Sequence, residues 1–152
     1  MSIVQGSTTT FAQNLLNGNE NFTSGTYYIA LYNANANLDQ TTTAYTSVNE
    51  VVGSGYTAGG QALTITVTPT IDNQYNTAYI SFANANWNPA SFTARGALVY
   101  NYTTKKACFV LNFGSDKTCS NSFTVQFPAA TSTTAILSIS SYTSANIISS
   151  GD

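Results

Sequence analysis

Histidine is absent from this 152-residue chain, and charge is scarce: Asp, Glu, Lys and Arg together make up 7% of it, against about 25% in an average soluble domain. Without histidine there is no Ser-His-Asp or Cys-His pair, no imidazole metal ligand and no ready general base near neutral pH. The four cations, Arg95, Lys105, Lys106 and Lys117, are too few for the phosphate contacts on which nucleic-acid binding rests, and the net charge is −2. Apolar runs last only a handful of residues, far short of the roughly 20 that span a bilayer. Met1 to Thr10 carry no basic stretch followed by an apolar one, so no secretory signal is expected. Together these gaps predict a chain that is not an enzyme, holds no cofactor or metal, and has neither nucleic acid nor membrane as a partner.

Hydroxyls and amides stand where the charge would be: 24 threonines, 17 serines and 17 asparagines, more than a third of the chain. With 43% apolar residues the length suits one hydrophobic core and so a single domain. Within it, residues 1–25 read as an arm and short helix, 26–141 as a β-sandwich and 142–152 as a Ser/Asn-rich tail. The helix signal is a run of N-cap hydroxyls from Ser7 to Thr10, then Phe11, Ala12, Leu15 and Leu16 at helical spacing, closed by Asn17-Gly18. Such a helix either lids the β core or docks onto a partner.

From residue 26 the apolar period becomes two. Thr26–Tyr32 has apolar side chains on both faces, as a central strand requires, while Leu63, Ile65 and Val67 alternate with threonines as on a half-buried one. Further strands are predicted at Ala78–Phe82, Gly96–Tyr100, Cys108–Phe113, Ser122–Phe127 and Ala135–Ser140, separated by turn residues. The fold class expected is all-β, an antiparallel sandwich or jelly-roll-like arrangement with one short N-terminal helix. Two irregular stretches interrupt it, Asn33–Gln61 and Asn84–Thr93, and loops of that length usually serve a purpose. The tail, with its apolar pair Ile147-Ile148, reads as a frayed end or as an arm docking on a neighbour.

Few constellations suggest chemistry. Glu20, Asp39, Glu50, Asp72, Asp116 and Asp152 are scattered at turn positions, and none lies in a short motif with another acid or a base. Asn33-Ala-Asn-Ala-Asn-Leu-Asp39 sets oxygen-bearing side chains at alternate positions, a pattern for Asx turns first and for weak calcium ligation second. Asn21-Phe-Thr and Asn101-Tyr-Thr match the glycosylation pattern, as chance allows in such a composition. Cys108 and Cys119 flank Phe113-Gly-Ser-Asp-Lys117. If that stretch closes a hairpin, a register whose partners sum to about 227 forms a disulfide; otherwise both are plain thiols. Tyr45, Tyr56 and Trp87 fall in the two long loops and are the aromatics expected to be exposed, for protein contact or for stacking on sugar.

Several ordered strings, NLLNGNENFTSGTYYIALYNANANLDQTTTAYTSVNEVVGSGYTAGG, FTARGALVYN, FVLNFGSDKT and FTVQFP, resemble a family of small virion proteins of tailed bacteriophages across about residues 10–128. Both cysteines and the end beyond Thr143 depart from that pattern. The resemblance implies a structural, non-enzymatic role: a decoration or cement protein on the phage particle surface, made in the host cytoplasm, with the major capsid protein or other virion proteins as partners and a dimer or trimer as its own state. A tail, neck or fibre component that binds host glycans is the alternative. The docking residues expected on this basis are Ser2, Ile3, Val4 and Gln5, the helix at Leu15 and Leu16, and Tyr45, Tyr56 and Trp87.

Overall fold

The computed structural model describes residues 2–141 and Gly151, and its single helix, α1 (Thr9–Leu16), starts where the hydroxyl cluster predicts. Thr8 is the N-cap: its Oγ1 accepts from the Phe11 amide at 3.1 Å and donates to the Ala107 carbonyl at 2.9 Å, so one side chain both caps the helix and ties it to the sheet. Eight residues are too few for a helix to persist alone. Phe11 holds it down, fully buried and edge-on to Phe22 and Phe109. The helix therefore lids the β core.

Two residues before the helix form β1 (Gly6–Ser7), and eight more strands follow it in the first 125 residues: β2 (Tyr27–Tyr32), β3 (Gln61–Ala62), β4 (Ile65–Asp72), β5 (Thr77–Phe82), β6 (Ala85–Trp87), β7 (Phe92–Asn101), β8 (Ala107–Cys119) and β9 (Phe123–Val125). The last is β10 (Leu137–Ser140). They pair antiparallel in three sheets, ordered β1-β8-β7-β2-β3, β10-β5-β4 and β6-β9. The chain is thus an all-β antiparallel sandwich with one short helix, as its periodicity implies.

Alternation along β2 and β7 divides the core in two. Ile29, Leu31, Ala97 and Val99 face the smaller sheets and meet Ile80, Phe82, Trp87, Phe123 and Val125. Ala30, Tyr32, Leu98 and Tyr100 face the other way, and no sheet among the described residues covers them. Their cover is irregular chain: Ile3 from the N-terminal arm, Ala36 and Leu38 from the long loop, with Tyr45 packed beside them. The two faces explain why β2 is apolar throughout.

Three readings are decided here. Phe113–Lys117 closes no hairpin: β8 runs on to Cys119, because β7 extends back to Phe92 and gives it a partner along its length. Between Ala94↔Lys117 and Gly96↔Asn112 the stretch forms a wide bulge instead, with Gly114 at φ +79°. Cys108 and Cys119 consequently lie at opposite ends of one strand, and both thiols are free. The second long loop contains β6, so Trp87 is a strand residue and buried. The N-terminal arm is pinned at one of its four docking candidates, Ile3, which bridges Leu38 and is buried, while Ser2, Val4 and Gln5 are exposed. The tail 142–152, apart from Gly151, lies outside the described residues.

Candidate functional site

Two glutamates that read as ordinary turn acids in the sequence are the focal points of the side-chain network. Glu50 sits in the long loop and is buried. Its Oε1 accepts from the Tyr56 hydroxyl at 2.6 Å and the Gly59 amide at 2.7 Å, and its Oε2 accepts from the Tyr45 hydroxyl at 2.7 Å. The Tyr56 hydroxyl in turn accepts from the Leu31 amide, which fastens the loop to β2. Tyr100 donates to the Gly59 carbonyl and stacks on Tyr45. Gly60, at φ +74°, lies so close to β2 that a Cβ there would overlap the Ile29 carbonyl. The Gly-rich turn after Tyr56 is thus a backbone-to-backbone contact.

This knot consumes two of the aromatics expected to be exposed. Tyr45 packs on the core behind Tyr100, and Tyr56 packs on the opposite one, against Trp87 and Phe92. Burial and the neighbouring carboxylate raise both phenols well above the usual tyrosine range, and burial pushes Tyr100 up to about 12, so all three remain hydroxyl donors. The signal in the sequence was an acid set between Val48 and Val51-Val52, with tyrosines five residues before and six after.

Glu20 lies where the chain leaves α1. Its Oε2 accepts from the Tyr27 hydroxyl at 2.8 Å and the Asn101 amide at 2.9 Å. Its Oε1 has one long contact, the Asn14 amide at 3.5 Å. Asn101 is buried and its Oδ1 receives the Thr103 and Thr104 amides, so it shapes the β7–β8 turn and is no accessible glycosylation site.

Beside Glu20 opens a groove of about 270 Å³ between α1, the turn after it and the β4-β5-β10 sheet. Its floor follows from register. Ala78↔Ile139 and Ile80↔Leu137 are cross-strand partners that share one face and line the groove, and Ile71, the other partner of Ala78, continues that face beyond it. The core covers that face at Ile80 and Leu137, but the sheet overhangs, leaving Ile71 74% and Ile139 51% exposed. Of the two helical docking candidates, Leu15 lines the groove and Leu16 next to it is 90% exposed. Periodicity marks the helix and the three strands, but not the overhang, because Ile71 lies beyond the alternating Leu63, Ile65 and Val67 and how far a sheet outruns its core is not a local property.

The remaining candidates are structural. Asn33 Oδ1 accepts from the Asn35 amide and Asp39 Oδ1 from the amide and hydroxyl of Thr41, so the Asn-rich segment is a series of Asx turns. Those donors hold the Asp39 carboxyl below its usual range. Among the described residues no three His, Cys, Asp or Glu side chains group as a metal site, and no helix is long and apolar enough to cross a membrane. Every buried side-chain polar atom described has a hydrogen-bond partner. Compared with known proteins, the chain matches no family, no curated protein and no solved structure.

Proposed function

We propose that this chain is a structural protein of a tailed-phage particle, a decoration or cement protein that binds the assembled head as a dimer or trimer. One observation carries the reading: among the described residues the internal polar groups are satisfied, while apolar side chains stay exposed at and beside the groove, Ile139 in its wall, Ile71 farther along the same sheet face and Leu16 next to Leu15 in the chain. Clustered apolar exposure of this kind marks a protein-docking surface. The resemblance supports it, because the matching strings build the central strands β2 and β7, the β8 bulge and the turn sealed by Glu50. The docking residues move accordingly from Tyr45, Tyr56 and Trp87 to the helix end and the overhanging sheet.

Purified heads of the encoding phage, stripped of this protein, provide the test. Recombinant chain is expected to co-sediment with them, and Leu16→Asp combined with Ile139→Asp is expected to abolish retention while the fold, read by circular dichroism, persists. Retention undiminished in that variant would remove the docking face from the proposal. Binding to a glycan array rather than to heads would favour the tail or fibre alternative.

A further inference from the structure

The groove has a feature that a simple apolar seat does not need, a carboxylate in its wall. Leu15, Phe22, Pro69, Ile80, Leu137 and Ile139 supply apolar lining, and Glu20 is the one charged residue among the walls. Its charge meets no cation of the chain among the described residues: the ion pair formed is Arg95 with Asp116, and the Lys105 ammonium lies 3.6 Å from the centre of the Tyr102 ring. An ionised carboxylate can accept about four hydrogen bonds. Oε2 has its two, whereas Oε1 has only the 3.5 Å contact with Asn14.

We infer that the groove receives a lysine or arginine side chain of a protein partner, its aliphatic stem on the apolar wall and its cationic head on Glu20 Oε1. This rests on the reading of the same face as a docking surface and names what is docked. The complementarity selects the occupant. A wholly apolar side chain would strip water from Glu20 and leave its charge uncompensated, and an acidic one would add repulsion. A long basic side chain meets both demands, because it buries its methylenes and keeps its charge at the end. The volume also fits, being just below the range of pockets that hold drug-sized ligands, so one side chain fills it.

The test uses n-pentylguanidinium as the probe, with n-pentanol and pentanoate as controls, followed by methyl NMR of the full chain. Pentylguanidinium is expected to shift the Leu15, Ile80, Leu137 and Ile139 methyls, to bind more tightly than pentanol, and to leave pentanoate inactive. Glu20→Gln should weaken the guanidinium by about fivefold and leave pentanol unchanged, the size of a partly exposed charge pair. Ile139→Ser, which leaves Glu20 in place, should weaken both. Equal binding of pentanol and pentylguanidinium, or indifference to Glu20→Gln, overturns the inference. Should the probe fail while head binding persists, the cationic anchor alone is wrong. Should the probe bind while heads do not, the anchor stands and the phage-head reading falls.

Discussion

Glu50 and Glu20 both take tyrosine hydroxyls, yet the first is sealed and the second borders an open groove. The difference lies in what covers them. Around Glu50 the loop folds back on itself, so its donors Tyr45, Tyr56 and Gly59 are all within nine residues, and both carboxylate oxygens are engaged at 2.6–2.7 Å. Around Glu20 the cover is a short helix on one side and the overhanging end of a three-stranded sheet on the other, and they do not meet. Sealing a charge requires donors for both oxygens and chain to exclude water. One glutamate has both, and functions as a staple; the other has half, and leaves a place for a partner.

The contrast can be broken first at two glycines of nearly equal backbone angle. Gly60 (φ +74°) presses on the Ile29 carbonyl, whereas Gly18 (φ +72°) has nothing within 4 Å. Gly60→Ala is expected to cost about 4 kcal/mol, strain and overlap together, and Gly18→Ala about 1 kcal/mol, strain alone. Urea denaturation midpoints decide it, and equal costs would mean that the loop around Glu50 is not tightly seated. Next come the acids themselves. Glu50→Ala leaves two buried hydroxyls and an amide without their acceptor, a loss of about 3 kcal/mol, while half-exposed Glu20→Ala should cost about 1 kcal/mol. A larger loss at Glu20 would reverse the comparison.

The smallest effect per residue is an alkaline one. Burial raises the phenols of Tyr27, Tyr32 and Tyr100 above the ordinary value of 10.0. The folded chain therefore holds protons that the unfolded chain releases. Their stabilisation is complete below about pH 10 and declines as pH rises from there toward the folded values, by about 0.4 kcal/mol for each phenol at pH 10 itself. Denaturation midpoints at pH 8 and pH 10 measure these phenols together with those of Tyr45 and Tyr56 and the buried Cys108 thiol, whose ordinary value of 9.0 is passed earlier, a sum expected at about 3 kcal/mol. Phenolate absorbance assigns it: Glu20→Gln should let Tyr27 ionise earlier, and Glu50→Gln should do so for Tyr45 and Tyr56.

Much of the fold was readable beforehand. The helix, its cap and seven strand segments stand where hydroxyl clusters and period-two alternation place them, since both are local signals. The strands that escaped notice, β1, β3 and β6, have two or three residues each, too few for a period to show. Trp87 was misplaced for that reason: a tryptophan within Asn-Ala-Asn-Trp-Asn-Pro looks like loop until β9 pairs with it. The cysteines stay open in the sequence because Gly-Ser-Asp is equally good turn and bulge chemistry, and only the length of β7 decides between the two.

By itself, then, the sequence determined a charge-poor, hydroxyl-rich, all-β domain without histidine chemistry, because composition and periodicity are summed over single residues and near neighbours. Even the Glu50 knot was nearly within its reach, its partners being close along the chain. Tertiary structure decided which acid is sealed and which is open. Glu20 meets Asn101 across 81 residues, and its groove exists only because one sheet outruns the core beneath it. Contacts of that separation depend on how sheets are registered and stacked, which no local pattern encodes.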